Sequence, residues 1–230
     1  MDCTSGVINL DKPAGLSSAA AVARVKRLLP RGTKIGHAGT LDPFATGVLL
    51  LLVGRATKLC ERLMDQPKQY QTTIKFGATT ATDDPESAEQ PWSQPIVVEP
   101  TREQIDATIP SFIGQIQQRP PAYSAMKIGG RRAYDLARKG HEVEMKPRPV
   151  RMYGIDVIDY SWPLLQLRID CGRGTYIRSL ARDIGAALNV GGYLTQLRRT
   201  RVGRFDVTGA VRLEELTAQN LASHLHSIET

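Results

Sequence analysis

The sequence GHAGTLDPFATG, residues 36–47, is the stretch from which both the fold and the chemistry can be argued. It contains three glycines and Pro43 and has no helical or strand periodicity, so it predicts a loop with defined turns. The apolar run VLLLLV, residues 48–53, follows directly and predicts a buried strand. Asp42 precedes the proline, which favours an extended backbone at that position. A carboxylate fixed there can act as a nucleophile or base, although an Asp-Pro pair that only begins a turn is the alternative.

The segments on either side of the loop predict a mixture of strands and helices. Ser17 or Ser18 is a suitable N-cap for an alanine-rich helix over residues 19–29. Thr101 and Gln104 have the spacing of a capping box, which predicts a helix to residue 109. The other predicted helices are residues 56–64, 132–139, 176–188 and 213–225. The predicted strands are residues 6–10, 48–53, 70–76, 149–160, 164–169 and 201–207.

These elements indicate the fold class. Several strands follow one another directly and no strict βαβ rhythm is present, which predicts an α+β fold with a mixed, mostly antiparallel central sheet and flanking helices. Residues 79–100 contain four prolines and five acidic side chains and predict a surface insert. With 230 residues, the chain has the length of one substantial domain or a split one.

The charge distribution points to a polyanionic partner. The formal net charge is +7 and the pI is about 9.5. Basic residues dominate residues 12–68 and 112–205, whereas residues 83–106 contain seven acidic side chains and one arginine. Such a pattern favours nucleic-acid binding, with surface lysines and arginines that only confer solubility as the alternative.

Cysteine, histidine and hydropathy patterns narrow the class of protein. Cys3, Cys60 and Cys171 are widely spaced and form no CxxC pair, which predicts reduced thiols in a cytoplasmic protein. The four histidines show no metal-ligand spacing, so no metal site is expected. The longest apolar run has six residues, against the ~20 that a transmembrane helix needs, and the N-terminus lacks the pattern of a signal peptide.

Five ordered segments resemble the motifs of the TruB family of tRNA pseudouridine synthases. The loop at residues 36–47 is similar to that family's catalytic signature. The other four segments are GVINLDKPAGLSS (6–18), KQYQTTIKFG (68–77), YSAMKIGGRRAYDLARKG (123–140) and CGRGTYIRSLARDIG (171–185). The resemblance implies the pseudouridine synthase fold and an isomerase that converts uridine 55, in the T loop of tRNA, to pseudouridine.

The implied reaction breaks the N1–C1′ bond of the uridine, turns the base and rejoins it through C5. No group is transferred and no redox change occurs, so no cofactor is implied. The resemblance makes Asp42 the catalytic carboxylate, which acts by attack at C1′, attack at C6 or removal of a ribose proton. An aspartate of ordinary pKa is ionised at neutral pH, as all three routes require.

The resemblance also implies roles for residues outside the loop. Arg178 matches the arginine that forms a salt bridge to the aspartate, and Tyr70 matches the tyrosine that lies against the uracil and removes the C5 proton. Tyr176 and Leu197 match positions that line the uracil pocket. His37 matches a histidine that enters the T loop where the flipped base was stacked. Core packing is the alternative for the two tyrosines and the leucine.

Further basic residues are expected to contact phosphate, and Lys12 is expected to order the neighbouring loop rather than to catalyse. The expected phosphate contacts are Lys127, Arg131, Arg132, Arg198, Arg199, Arg201 and Arg204. Two departures from the family pattern stand out. The chain ends at Thr230, which predicts one catalytic domain over residues 1–230 without the usual C-terminal PUA domain, and Ala81 replaces a commonly acidic residue.

Three functions are therefore compared. The first is a monomeric, cytoplasmic, cofactor-free isomerase that acts on the T-arm of tRNA. The second is a tRNA-folding chaperone or RNA-binding module, against which the joint presence of Asp42, Tyr70 and Arg178 argues. The third is a nonspecific nucleic-acid binder, which explains the charge but none of the motifs.

Overall fold

The computed structural model describes residues 5–124 and 145–227 and, between these ranges, the backbone of residues 127–128 and 131–132. The chain divides into two compact units. The first comprises residues 1–71 and 197–230, and the second comprises residues 72–196. Two strands, β4 (Lys68–Phe76) and β12 (Gly192–Val202), contribute residues to both units.

The first unit is built around one strand that is apolar along six consecutive residues. This strand, β3 (Thr46–Val53), pairs antiparallel with β1 (Gly6–Lys12) and with β2 (Ile35–Ala38), and parallel with the end of β12. Seven of its eight residues are buried, which explains why the run has no polar alternation. Val7, Leu50 and Val202 belong to the core around it.

Short elements complete the first unit. Helix α1 (Ser18–Lys26) follows β1, and a 3₁₀ turn (Gly54–Leu59) leads into α2 (Cys60–Met64). After β12, β13 (Phe205–Asp206) folds back on it and β14 (Val211–Arg212) pairs parallel with β1. Two 3₁₀ turns, Leu213–Glu215 and Leu221–His224, follow.

The second unit contains the longest hairpin. Its strands include β7 (Gly114–Gln118), β10 (Arg148–Ser161) and β11 (Leu164–Cys171), all antiparallel, and the neighbour order is β12-β4-β11-β10-β7. The unit also contains two separate two-stranded antiparallel sheets. One pairs β5 (Ala78–Thr80) with β6 (Glu89–Pro91), and the other pairs β8 (Lys127–Ile128) with β9 (Arg131–Arg132). The described residues of this unit also form α3 (Arg102–Thr108), followed by a 3₁₀ turn (Ile109–Phe112), and α4 (Ile177–Ala187).

The predicted fold class is confirmed: the structure combines helices with a large, mostly antiparallel sheet, and among the strand pairs whose direction is stated above, β1–β14 and β3–β12 are parallel. Local signals located several elements correctly. Ser17 caps α1 by accepting from the amide of Ala20, and the capping box of Thr101 and Gln104 is present. The predicted hairpin forms β10 and β11, and the predicted helix around Tyr176 is α4.

Other predictions were wrong at particular places. The loop at 36–47 is shorter than predicted because β2 takes residues up to Ala38, where pairing with β3 overrides the glycine-rich composition. The predicted strand at 201–207 is interrupted: its residues form the end of β12 and all of β13, which pair with each other across a turn at 203–204, where Gly203 has φ 54°. The predicted helix over 132–139 lies outside the described residues, except for Arg132 in β9.

Two predicted helices also differ from the structure. The segment 56–64 begins as a 3₁₀ turn and becomes α-helical only at Cys60. The segment 213–225 contains no α-helix and instead forms the two 3₁₀ turns Leu213–Glu215 and Leu221–His224. Between them, the side chains of Thr217 and Asn220 accept from each other's backbone amides. The backbone bonds that follow, from Ser223 to Asn220 and from Leu225 to Ala222, span three residues and give the tighter 3₁₀ geometry. Among the helices in the described ranges, none has the length and apolar character needed to cross a membrane.

Candidate active site

The loop that carries Asp42 is fixed by hydrogen bonds to its backbone. On the N-terminal side of Asp42, the hydroxyl of Ser18 donates to the carbonyl of Leu41 at 2.9 Å and accepts from the amide of Leu41 at 2.8 Å. On the C-terminal side, the carbonyl of Pro43 accepts from the amide of Gly15 at 2.9 Å. Asp42 itself is half-buried. The carboxylate is therefore carried by a peptide segment that is held on both sides.

Lys12 supports the same loop, as expected from the sequence. Its side chain is fully buried, and Nζ donates to the carbonyls of Pro13, Leu16 and Pro43 at 2.8, 2.7 and 3.2 Å. These bonds distribute the ammonium charge over carbonyl oxygens, which offsets the cost of burying it. The geometry agrees with a loop-ordering role.

Arg199 was expected to contact phosphate, and that prediction was wrong. The side chain is only 1% exposed, and its guanidinium donates to the carbonyls of Val48, Gly39 and Thr40 at 2.7, 3.0 and 3.4 Å. The planar fork of an arginine suits several carbonyls at once. Arg199 thus holds both ends of the loop and is inaccessible to RNA.

Tyr70 and Leu197 lie on strands close to this loop. In the parallel pairing of β12 with β3, Arg198 is opposite Thr46, which places Leu197 at the level where the loop enters β3. Tyr70 is on β4, whose residue Gln69 accepts a hydrogen bond from Thr200 of β12 at 3.1 Å. The side chains of Tyr70 and Leu197 are each 7% exposed.

His37 lies on β2 opposite Leu51 of β3 and is half-buried. Burial and, to a smaller extent, the charge of Arg199 lower the pKa of His37 below its usual 6.5. Its ring is therefore neutral at pH 7. Nδ1 is buried and has no hydrogen-bond partner.

Tyr176 and Arg178 belong to the second unit. The buried amide of Gln118 accepts from the amide of Tyr176 at 2.8 Å and donates to its carbonyl at 3.0 Å, just before α4 begins. The guanidinium of Arg148 lies 5.3 Å from the centre of the Tyr176 ring, within cation–π range. The backbone and the ring of Tyr176 are therefore both positioned.

Arg178 forms a buried ion pair with a residue of the predicted surface insert. Nη1 lies 3.1 Å from Oδ2 of Asp84 and donates to the carbonyl of Thr82 at 2.9 Å, and Nη2 donates to the carbonyl of Tyr123 at 3.0 Å. Asp84 is completely buried, so this part of residues 79–100 is not the surface segment that the sequence predicted. The expected pairing of Arg178 with Asp42 joins residues of different units and stays a prediction.

A second ion pair lies beside the first. Arg182 Nη1 is 2.9 Å from Oδ2 of Asp83, and Nη2 donates to the carbonyl of Arg119 at 2.9 Å. Burial raises the pKa of Asp83 to about 6, although Arg182 and Arg178 act in the opposite direction. Asp83 also has a φ of 58° and a carbonyl that accepts from Leu194 at 3.1 Å. These contacts fix the turn that carries Asp84.

Basic side chains remain exposed at the C-terminal end of α1. Residues 12–41 contain no acidic residue, and Arg24 and Arg27 line an open groove of about 320 Å³ next to the 3₁₀ turn Leu213–Glu215. Arg31 and Lys34 are exposed between α1 and β2.

Of the expected phosphate contacts, Arg198 pairs with Asp11, whereas Arg201 and Arg204 are exposed. The side chains of Lys127, Arg131 and Arg132 lie outside the described residues.

Three residues that order these sites were missed from the sequence: Gln118, Asp84 and Ser18, which was considered only as a possible N-cap. The pattern TDDPE offered one signal, because Asp84 precedes a proline as Asp42 does. No comparable local pattern marks Ser18 or Gln118, since their partners are 23 and 58 residues away.

The family match decides the classification. The family described as TruB family pseudouridylate synthase (N terminal domain) matches residues 26–177, and the tRNA pseudouridylate synthase B C-terminal domain matches residues 178–229. The chain belongs to the TruB family. Asp42 and Tyr70 lie in the first matched segment, whereas Arg178 and Leu197 lie in the second.

Curated TruB relatives are similar over nearly the whole chain. The protein named tRNA pseudouridine synthase B of a Caulobacter species is 49% identical, over 96% of this chain and 70% of the relative. The proteins of the same name from Mycobacterium ulcerans and Dechloromonas aromatica are 47% and 44% identical, over 92% and 97% of this chain and 70% and 73% of theirs.

Solved structures share the fold. A chain of the "Cbf5-Nop10-Gar1 Complex" has a TM-score of 0.71 and 31% identity, over 94% of this chain and 54% of that one. A chain of an "H/ACA RNP bound to a substrate RNA containing 2'-deoxyuridine" has a TM-score of 0.68 and 29% identity, over 94% and 53%. This chain therefore spans about half the length of those two. The predicted pseudouridine synthase fold is confirmed.

Proposed function

We propose that this protein is a tRNA pseudouridine synthase that isomerises uridine 55 of the T loop to pseudouridine. The observation that carries the proposal is the TruB family match over residues 26–177, which includes the rigid loop of Asp42. The curated relatives named tRNA pseudouridine synthase B, at 44–49% identity, support the same substrate class. The enzyme is an isomerase, because the product contains the atoms of the substrate in a new arrangement.

Asp42 is the catalytic carboxylate in this proposal. It acts while the N1–C1′ bond breaks and the C5–C1′ bond forms, and the proton lost from C5 is balanced by the proton gained at N1. The clamped loop supports this role, because a reacting group contributes most when its geometry is fixed before the substrate binds. The routes open to this carboxylate are attack at C1′, attack at C6 and removal of a ribose proton.

Other side chains position the base. Tyr70 lies against the uracil and serves as the route for the C5 proton, while Leu197 and Tyr176 line its pocket. His37 fills the gap that the flipped uridine leaves in the T loop, and its neutral ring suits stacking on the exposed bases. Arg178 balances the charge of the catalytic carboxylate in the proposed reaction.

The tRNA is held largely through its phosphates. Exposed arginines and lysines supply sequence-independent affinity that weakens as salt increases. The acid-free segment 12–41 supports such a surface, because Arg24, Arg27, Arg31 and Lys34 are exposed and the same segment leads to Asp42. The T-arm is the part of the tRNA that this surface is proposed to contact.

Incubation with an unmodified tRNA transcript and with an isolated T-arm stem-loop tests the proposal. Pseudouridine is mapped at nucleotide resolution, in a buffer containing a metal chelator because the reaction is proposed to need no metal. We expect one product, at position 55, and none from a transcript with cytidine there. Asp42→Asn should bind the T-arm with a Kd close to that of the wild type and yield no pseudouridine.

The other outcomes separate the alternative functions. Modification of a different uridine alone would keep the enzyme class and overturn the position. Tight T-arm binding without product from the wild type would favour an RNA chaperone or binding module. Equal affinity for unstructured RNA, again without product, would favour a nonspecific nucleic-acid binder.

A further inference from the structure

Ser18 makes an unusual pair of contacts for a residue at the start of a helix. Its single hydroxyl satisfies both backbone groups of Leu41, at 2.9 Å for the carbonyl and 2.8 Å for the amide. Ser18 is 2% exposed and Leu41 is 4% exposed, so water does not replace these bonds easily. Ordinary helix capping does not require them, because the preceding Ser17 already accepts from the amide of Ala20.

The residue that follows Leu41 is Asp42. The peptide on its other side is held by a different part of the chain, through the bonds from Gly15 and Lys12 to the carbonyl of Pro43. Of these contacts, only the one from Ser18 connects the Asp42 segment to a regular helix, α1. Because a helix is stiffer than a turn, Ser18 sets the position of Leu41 relative to the rest of the first unit.

We propose that Ser18 is a positioning residue for the reaction and holds the backbone of Leu41 so that the Asp42 carboxylate meets the uridine in the productive geometry. This inference rests on the proposed function. Ser18 does not touch the substrate and acts only through the loop. A displacement of about 1 Å at a reacting group can lower the rate on the order of 100-fold. Loss of this contact should therefore lower the rate of the chemical step more than it lowers the affinity for RNA.

The test compares Ser18→Ala with Ser17→Ala, a neighbouring serine whose hydroxyl caps the helix without contacting Leu41. Single-turnover rate constants and RNA Kd values are measured with the unmodified tRNA transcript, and the amide exchange of Leu41 is measured without RNA. We expect Ser18→Ala to react about 10- to 100-fold more slowly with a Kd within about two-fold of the wild type. The Leu41 amide should exchange faster in this variant only.

Ser18→Cys serves as a second variant, because a thiol has similar size but forms weaker hydrogen bonds. It should fold and react at a rate between those of Ser18→Ala and the wild type. If Ser18→Ala fails to fold, the same measurements are made on Ser18→Cys instead. A wild-type rate in both variants, or an equal loss in Ser17→Ala, would overturn the proposal. Unchanged exchange of Leu41 in Ser18→Ala would overturn it even if no RNA were modified.

An inactive wild type with faster Leu41 exchange in Ser18→Ala would have a different meaning. The structural contact would then be verified, while the proposed function, and with it the positioning role in catalysis, would be rejected. The exchange measurement and the rate measurement thus distinguish failure of the inference from failure of the proposed function.

Discussion

Arg178 and Asp84 form an ion pair with Nη1 and Oδ2 3.1 Å apart, and their side chains are only 5% and 1% exposed. Two further bonds, from Arg178 to the carbonyls of Thr82 and Tyr123, satisfy more of the guanidinium. A buried charge that loses its partner is strongly destabilising, whereas a well-bonded pair is tolerated. The residue at position 84 therefore matters for the fold of the second unit as well as for the proposed site.

We predict that Asp84→Ala lowers the free energy of unfolding by about 3–5 kcal/mol, because it leaves the Arg178 guanidinium buried without its counter-ion. Urea unfolding measures the loss. The exposed pair of Arg102 and Asp106 is the control, since Asp106→Ala should cost less than about 1 kcal/mol. Losses that simply add in the Asp84→Ala, Arg178→Ala double variant would contradict direct coupling of the pair.

Two glycines with left-handed backbone, Gly15 and Gly47, provide a second prediction. Gly47 has φ 100°, and a Cβ there would lie 2.2 Å from the carbonyl oxygen of Arg199, whereas Gly15 has φ 75° and open space around it. Gly15→Ala should cost only the conformational strain, about 1–2 kcal/mol. Gly47→Ala should cost at least about 2 kcal/mol more, because backbone must move. Chemical denaturation measures both free energies of unfolding. Equal losses in the two variants would show that the close approach of Gly47 to Arg199 does not affect stability.

The pH dependence of the free energy of unfolding should reveal the titration of the Asp83 carboxyl. Its pKa is raised from 3.8 to about 6, so the folded state binds this proton more tightly than the unfolded chain does. The contribution of Asp83 to the free energy of unfolding therefore falls as the pH rises from about 4 to about 6, by about 2–3 kcal/mol.

Asp83→Asn should remove this contribution while tolerating the positive φ, because asparagine adopts left-handed backbone readily. Unfolding is measured at several pH values between 4 and 7 for both proteins. The stability of the variant relative to the wild type should rise across this interval. Parallel curves would mean that the carboxyl titrates in the same range in the folded and unfolded states.

The basic end of α1 predicts a specific salt dependence. If Arg24 and Arg27 each contact one phosphate, the slope of log K against log salt should become shallower by about 1.4–1.8 in the double variant Arg24→Gln, Arg27→Gln. Arg55→Gln with Lys58→Gln removes the same charge from the exposed 3₁₀ turn Gly54–Leu59 and serves as the control. Titration of labelled T-arm RNA at four salt concentrations gives the slopes. Equal changes in both double variants would assign the effect to net charge rather than to this surface.

Local sequence signals predicted the elements that are stabilised by contacts between residues close together in the sequence. The Ser17 cap and the capping box of Thr101 and Gln104 involve residues three positions apart, so their pattern is visible in a short window. The apolar run of β3 was equally clear, because a strand buried on both faces needs no alternation. The segment 213–225 shows the limit, since its apolar spacing predicted an α-helix and the chain forms two 3₁₀ turns there.

The sequence by itself determined the family through its ordered motifs, the α+β class and the loop of Asp42. Only the tertiary structure decided that the hydroxyl of Ser18 binds Leu41, that Arg199 turns inward to carbonyls, and that Asp84 is buried against Arg178. These partners are far apart in sequence, and each contact depends on which strands and turns become neighbours. An arginine on a surface and an arginine that holds a loop have the same one-letter code. The physical difference is that Arg199 is buried and donates to three backbone carbonyls, whereas a surface arginine is solvated.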